Sequence, residues 1–452
     1  MNFSTLPLSE EMLATIEDLG YKSMTPIQAQ ALPLILEGKD VIAQAKTGSG
    51  KTAAFGIGLL NKLDVKKFRV QSLVLCPTRE LADQVAKELR RIARFKHNIK
   101  ILILCGGESF GKQLGSLEHQ AHIIVGTPGR VLKHLNKESL DLSNLDTLVL
   151  DEADRMLDMG FIEEIEAVLE FAPKERQTLL FSATYDNEII TISKRLQRDA
   201  VSVKTVSTEI ANNITEHFYE TNDKTRTLIK IFSAYAPQNV IVFTNTKQEA
   251  KDLAQNLQDS KIDALAIHGD LEQYERNDVL VQFANKSCPI LVATDVAARG
   301  LDIKELSMVV NFDIPFGGET YTHRIGRTGR AGADGIAITL YDAYESDKAR
   351  EYENETRLFQ NADELKLRVG FEMRPRYVTL VIEGGKKDKI RAGDLLGALT
   401  GDAGLQGSSI GKIDIYDRQS YVAIESASID EAHSKLDKGK IKGKNFAVWI
   451  LK

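Results

Sequence analysis

The sequence predicts an α/β chain in which two successive parallel-sheet units precede a small α+β module. Three observations carry that class. Short apolar runs alternate with amphipathic stretches as far as residue 205. The same alternation restarts after a polar stretch at 203–213. Beyond residue 376 the order becomes strand, helix, strand, strand, helix, strand. Runs apolar at every position and separated by helical segments read as strands buried on both faces, which is the pattern of a parallel sheet with crossover helices.

In the first unit the apolar runs are 40–43, 72–76, 100–105, 122–126, 145–150 and 178–181. In the second they are 239–243, 264–268, 289–293, 306–311 and 335–339, and this unit has no phosphate-binding loop of its own. A charged, helix-prone segment at 346–367 leads to the last module, with strands at 377–382, 410–415, 420–424 and 445–450 and helices at 391–400 and 429–436. The resulting division is 1–206, 207–355, a linker at 356–375, and 376–452.

A chain of 452 residues has room for two or three such domains. No apolar run approaches the ~18 residues of a membrane span, and the first residues lack the basic-then-apolar pattern of a secretion signal. Cys76, Cys105 and Cys288 are odd in number and lie in or beside apolar runs, as small buried residues of a reducing cytoplasm do. The net charge of -6 speaks against a globally basic nucleic-acid binder. Its distribution is uneven, however: residues 371–452 carry 14 Lys+Arg against 11 Asp+Glu, and the rest carry 44 against 53. A mildly basic tail on an acidic body suggests an anionic partner for the tail.

Two strings define the chemistry. Ala45, Lys46, Thr47, Gly48, Ser49, Gly50, Lys51 and Thr52 follow the first apolar run and open an amphipathic stretch. They fit a phosphate-binding loop, whose backbone N–H groups face an anion at a helix N-terminus, with Lys51 reaching the β/γ-phosphates and the Thr52 hydroxyl holding Mg²⁺. Asp151, Glu152, Ala153 and Asp154 follow the run at 145–150, which sets Asp151 at a strand's C-terminal end. A carboxylate there holds the metal, and Glu152 orients or deprotonates the attacking water. Together, and in this order, the strings point to nucleotide hydrolysis.

With these motifs stands the block 20–28, containing Tyr21, Thr25 and Gln28, with Phe3 upstream. The chain resembles the DEAD-box ATP-dependent RNA helicases through both α/β units, and the resemblance implies two tandem RecA-like domains using ATP and Mg²⁺. It implies that Gln28 pairs with the adenine edge, that Phe3 packs on the base, and that Tyr21 and Thr25 complete the block. An amide suits adenine because it donates and accepts at once. By the same resemblance Ser182 and Thr184 bond to Asp154 and couple hydrolysis to RNA, together with His323. Gly300 and Asp302 contact the nucleotide, Asp302 at the ribose. Arg327 and Arg330 reach the γ-phosphate, as a guanidinium fork does well.

RNA contacts implied by the resemblance fall on Pro77, Thr78, Arg79, Gly106, Gly107, Thr127, Pro128, Gly129 and Arg130, and in the second unit on Gln273, Arg276 and Thr294. Hydroxyls, glycine backbones and single arginines hold phosphates and 2′-hydroxyls without reading bases. The implied cycle binds ATP and single-stranded RNA across both units and draws them together, so each ligand should tighten the other.

The βαββαβ tail has the split βαβ order of an RNA-recognition motif. Residues 383–394, 395–402 and 438–444 resemble the RNA-binding domain of a bacterial branch of these helicases. That implies a hairpin of 23S ribosomal RNA as target and a role in assembly of the large (50S) subunit. Few aromatics are placed for stacking, so binding is expected to lean on Lys386, Lys387, Lys389, Arg391, Lys438, Lys440, Lys442 and Lys444, with Tyr421 on the sheet; Trp449 is expected to pack in the core. The alternative to an unwinding enzyme is an ATP-gated RNA clamp with little strand separation. A DNA helicase fits less well with the short core and the RNA-type tail. The expectation is a cytoplasmic monomer with RNA, and neither DNA nor membrane, as partner.

Overall fold

The computed structural model describes residues 1–45, 48–185, 187–204, 214–298, 306–329, 334–402 and 404–451. The chain divides into two compact units, broadly the first 208 residues and the remainder. The expected boundary near 206 therefore falls outside the described residues.

The first unit holds one parallel sheet of seven strands: β1 (Val41–Gln44), β2 (Ser72–Leu75), β3 (Ile101–Leu104), β4 (Ile123–Gly126), β5 (Thr147–Asp151), β6 (Gln177–Ser182) and β7 (Val201–Lys204). Their spatial order is β3-β4-β2-β5-β6-β1-β7. Successive side chains feed opposite faces: Val41 and Ala43 join one apolar cluster and Ile42 the other. That double burial is what made these runs predominantly apolar. Because every strand points the same way, the residues after their C-terminal ends line one edge, where open α/β sheets bind ligands.

The second unit repeats the plan with β8 (Ile214–Glu220), β9 (Val240–Thr244), β10 (Ala264–Ile267), β11 (Ile290–Thr294), β12 (Met308–Asn311), β13 (Gly335–Tyr341) and β14 (Leu358–Asn361), in the order β10-β11-β9-β12-β13-β8-β14. Two expectations change here. The helix-prone segment at 346–367 is helical only over Ser346–Arg350 and then forms β14, which pairs in parallel with β8. The expected linker at 356–375 is likewise part of this unit: besides β14, Met373 bridges Ile262 and packs with Phe371 against the core.

The third sheet is antiparallel: β15 (Tyr377–Ile382), β16 (Ile410–Ile415), β17 (Ser420–Glu425) and β18 (Val448–Ile450), ordered β16-β17-β15-β18. Leu380, Ile382, Val422 and Ile424 face the core made with the helices Ala392–Gly397 and Ile429–Lys438. The alternate residues Val381 and Tyr421 face the other way, onto Val281 of the helix Gln273–Ala284. Asn285 Nδ2 donates to Thr379 Oγ1 at 2.9 Å on that same side. Among the described residues no helix is long and apolar enough to cross a membrane.

Candidate nucleotide and RNA sites

The phosphate-binding loop leaves β1 and opens the helix Lys51–Lys62. Gly50 caps that helix at φ 93° and Gly48 stands at φ 82°, left-handed values that favour glycine. Lys46 and Thr47 lie outside the described residues. Lys51 Nζ sits 3.7 Å from Asp151 Oδ1, with both side chains buried. Ser49 Oγ, Lys51 Nζ, Asp151 Oδ1 and Asp154 Oδ1 are all buried without a hydrogen-bond partner. Buried polar atoms are normally satisfied, so four together mark a place built for a polar guest. Burial pushes the Asp151 carboxyl up to about 6, with Glu152 and Asp154 adding to the rise and Lys51 opposing it. A cation beside that carboxylate would relieve its desolvation, which is how the donor set fits Mg²⁺.

Glu152 holds a left-handed backbone at φ 56°, a strained position for a residue with a β-carbon. Its carboxylate accepts from Arg155 Nη1 at 2.6 Å, and both side chains are buried. Asp154 Oδ2 accepts from the backbone N–H of Ala183 at 3.1 Å, while the Ser182 hydroxyl accepts from the N–H of Thr184 at 3.2 Å. The Ala183 backbone thus joins Asp154 to the turn after β6 that carries Ser182 and Thr184.

The adenine block touches the loop directly. Gln28 closes a capping box on the helix Pro26–Leu36, accepting from Thr25 N at 2.9 Å, and its Nε2 donates to Gly50 O at 3.1 Å. One lone pair and one N–H of the amide remain, the pair of groups an adenine edge requires. Tyr21 donates its hydroxyl to Glu88. Phe3 corrects the expectation of an open stacking face: its ring is 2% exposed and joins the core. It supports the pocket by packing beside Tyr21, ring centroids 6.3 Å apart.

The first unit's expected RNA residues follow β2, β3 and β4, which are neighbours in the sheet. Pro77, Thr78 and Arg79 follow β2, and Thr78 caps the helix Arg79–Ile92 by accepting from Leu81 N at 3.3 Å. Gly106 and Gly107 follow β3; a β-carbon on Gly107 would lie 1.7 Å from Arg79 Nη1, so the arginine lies directly on that backbone. Thr127, Pro128, Gly129 and Arg130 follow β4 and open the helix Pro128–Asn136. The sheet order thus brings three separated strings to one stretch of edge, next to the phosphate site on β5, β6 and β1.

In the second unit Thr294 ends β11, and Arg276 donates to Ala297 O at 2.7 Å. Arg327 is buried after the helix Gly318–Ile325, which carries His323. Gly300, Asp302 and Arg330 lie outside the described residues. Sequence reasoning gave Arg324 no role, yet it is 1% exposed and grips both oxygens of Asp295 at 2.7 Å. It also reaches Asn245 Oδ1, Asn311 Oδ1 and the Asp313 carbonyl. Arg324 ties the ends of β9, β11 and β12 together, next to Thr294 at the end of β11.

In the tail the two basic clusters meet. Lys442 Nζ donates to the Lys389 carbonyl at 2.9 Å and lies 3.5 Å from Asp394 Oδ2. The segment with Lys386, Lys387, Lys389 and Arg391 follows β15, and the one with Lys438, Lys440, Lys442 and Lys444 precedes β18, at one end of the sheet. Tyr421 departs from its expected role. Its ring is buried against Val281 and its hydroxyl lies 3.0 Å from Asp278 Oδ1, so its face is covered rather than open to a base. Trp449 departs the other way, being 36% exposed instead of packed in the core.

A phosphate loop, an acidic strand end and a second sheet with its own arginines define an ATP-driven RNA-remodelling enzyme. Residues 25–192 match the DEAD/DEAH box helicase family, 223–332 the helicase conserved C-terminal domain, and 379–450 the DbpA RNA binding domain. The chain belongs to the DEAD-box ATP-dependent RNA helicases, with hydrolysis of ATP coupled to RNA unwinding. It is 51% identical over its whole length to the ATP-dependent RNA helicase DbpA of Escherichia coli, covering 99% of that protein. It is 46% identical to the DEAD-box ATP-dependent RNA helicase CshA of Bacillus cereus across 78% of this chain and 68% of that one. Among solved structures it resembles Dbp5 of S. cerevisiae bound to RNA and ADP BeF3, at TM-score 0.71 and 31% identity, over 80% of this chain and 96% of that one.

Proposed function

We propose that this helicase works on ribosomal RNA precursors: its C-terminal module holds a hairpin of 23S ribosomal RNA while the core opens short duplexes nearby, during assembly of the large subunit. The observation that supports this most is the meeting of the two lysine-rich segments at one end of the third sheet, through Lys442 and Lys389. Tyr421 on the sheet is covered, so the basic end is the surface offered to an RNA hairpin. The DbpA RNA binding domain matched over 379–450 argues in the same direction. Three buried cysteines without disulfides accord with a reducing cytoplasm.

In the core, Lys51 and the loop N–H groups bind the phosphates, and Thr52 and Asp151 would hold Mg²⁺. When bound, the ion neutralises charge on the phosphate oxygens. Glu152, steadied by Arg155, orients the attacking water. Arg327 and Arg330 supply positive charge for the γ-phosphate. The loops after β2, β3 and β4 hold an RNA strand by its backbone, so selectivity comes from the tail. The test is binding of a labelled 23S hairpin fragment to the intact chain and to a variant with Lys438, Lys440, Lys442 and Lys444 changed to Gln. Preference for this hairpin over an unrelated one, lost in the variant, is expected. Equal binding of both hairpins by the unaltered chain would refute the targeting.

A further inference from the structure

Gln113 lies outside every motif above, in the helix Phe110–Leu117, and is 4% exposed. Its amide bonds through both its nitrogen and its oxygen. Nε2 donates to the Cys105 carbonyl at 2.9 Å, while Oε1 accepts from Arg130 Nη1 at 2.9 Å and from His134 Nε2 at 3.0 Å. Cys105 directly precedes Gly106 and Gly107, and Arg130 closes the turn after β4. One side chain therefore ties together two of the three loops at this edge. The third joins through Arg79, which lies on Gly107.

The bonding pattern leaves no freedom in the amide. A guanidinium only donates and a carbonyl only accepts, so the oxygen must face Arg130 and the nitrogen Cys105. His134 Nε2 meets the same oxygen and so carries its hydrogen. Burial, helped by Arg130 and Lys133, pushes this imidazole down to about 4, so it is neutral near pH 7; its Nδ1 lies 2.8 Å from Ser139 Oγ. Phe110 stacks on His134 with centroids 4.2 Å apart and planes at 12°. Arg130 also donates to the Glu108 carbonyl from Nη1 and Nη2, each at 3.2 Å. Those bonds use one edge of the fork; Nε–H and the other Nη2–H form the adjacent edge, the geometry that grips a phosphate with two parallel bonds.

We propose that Gln113 is a positioning residue for RNA. It sets the Arg130 fork and the Gly106–Gly107 backbone in one register for a phosphodiester strand, without touching RNA itself. The proposal rests on the assignment of these loops to RNA. Gln113→Leu removes all three bonds. Gln113→Glu keeps the acceptor for Arg130 and His134 but turns an oxygen toward the Cys105 carbonyl, so it isolates the link to the glycine loop.

The experiment measures the RNA half-saturation of ATP hydrolysis for the intact chain, these two variants and Arg130→Ala, using an unstructured single-stranded RNA. Nucleotide affinity without RNA and thermal unfolding are measured alongside. Gln113→Leu is expected to raise the RNA half-saturation about tenfold, the scale of losing hydrogen bonds to a charged group, with a much smaller change in nucleotide affinity. Gln113→Glu is expected to fall between it and the unaltered chain, and serves as the decisive variant if Gln113→Leu does not fold. Unchanged RNA half-saturation in both variants would overturn the proposal. So would RNA and nucleotide affinity falling together, since a merely structural role moves both. Weakening by Arg130→Ala with none by either Gln113 variant would sink this inference alone. No effect of Arg130→Ala would sink the assignment of the loop to RNA, and the inference with it.

Discussion

Replacing Gly50 with alanine should damage nucleotide binding through two separable effects. The residue stands at φ 93°, and a left-handed alanine costs about 1–2 kcal/mol. Its β-carbon would lie 2.5 Å from Gln28 Nε2 and 3.0 Å from Thr25 Oγ1, so the amide must move and its bond to Gly50 O breaks. That bond contributes about 1 kcal/mol. Without ligand the loop can relax and shed the strain, so the cost falls on binding, which restores the loop. The sum of about 2–3 kcal/mol corresponds to roughly 30- to 150-fold weaker nucleotide affinity. Gly48→Ala is the control, since it stands at φ 82° with nothing within 4 Å of its β-carbon. Only the backbone effect applies there, about 1–2 kcal/mol or roughly 5- to 30-fold. Equilibrium binding of a fluorescent ATP analogue reads both. Equal losses in the two variants would refute the role given to Gln28 in shaping the loop.

On the proposed role of Glu152 toward the attacking water, Glu152→Gln should bind nucleotide yet hydrolyse it about 100-fold or more slowly; steady-state turnover beside analogue binding checks this. Tyr421→Ala should lower stability by about 3 kcal/mol through the lost ring, without the loss of RNA affinity that a stacked base would cause; denaturant melts and RNA titrations separate the two. Replacing the four lysines at 438–444 should flatten the dependence of log affinity on log salt by about 0.7–0.9 for each phosphate no longer neutralised. His134 sets a pH dependence. Its folded value near 4 lies below the unfolded value near 6.5, so between them the unfolded chain holds more protons. Stability should be fully present above pH 6.5 and fall by up to ~2 kcal/mol toward pH 4, and His134→Asn should remove that part of the slope in urea melts.

The strands that carry the motifs were legible because burial on both faces keeps their middles apolar and confines polar residues to their ends. β8 and β14 were not, since their half-exposed residues, such as Glu216, His217 and Gln360, interrupt the apolar pattern. The phosphate loop and acidic strand end were readable because backbone geometry and metal chemistry demand those residues at that spacing. Phe3 and Tyr421 show the limit: an aromatic at a plausible position reads the same whether it meets a base or a neighbouring helix. Only the fold shows Val281 and Asp278 waiting for Tyr421. Arg324 and Gln113 were missed because their partners lie far apart in the chain, and neither has a local pattern to signal what it joins.

The most direct measurement is steady-state ATP hydrolysis by the intact chain with no RNA, with an unrelated RNA, and with a 23S ribosomal RNA fragment carrying the expected hairpin. The account expects little turnover without RNA, weak stimulation by the unrelated RNA and strong stimulation by the fragment. Equal stimulation by both RNAs would contradict it, leaving a helicase whose tail does not choose its substrate.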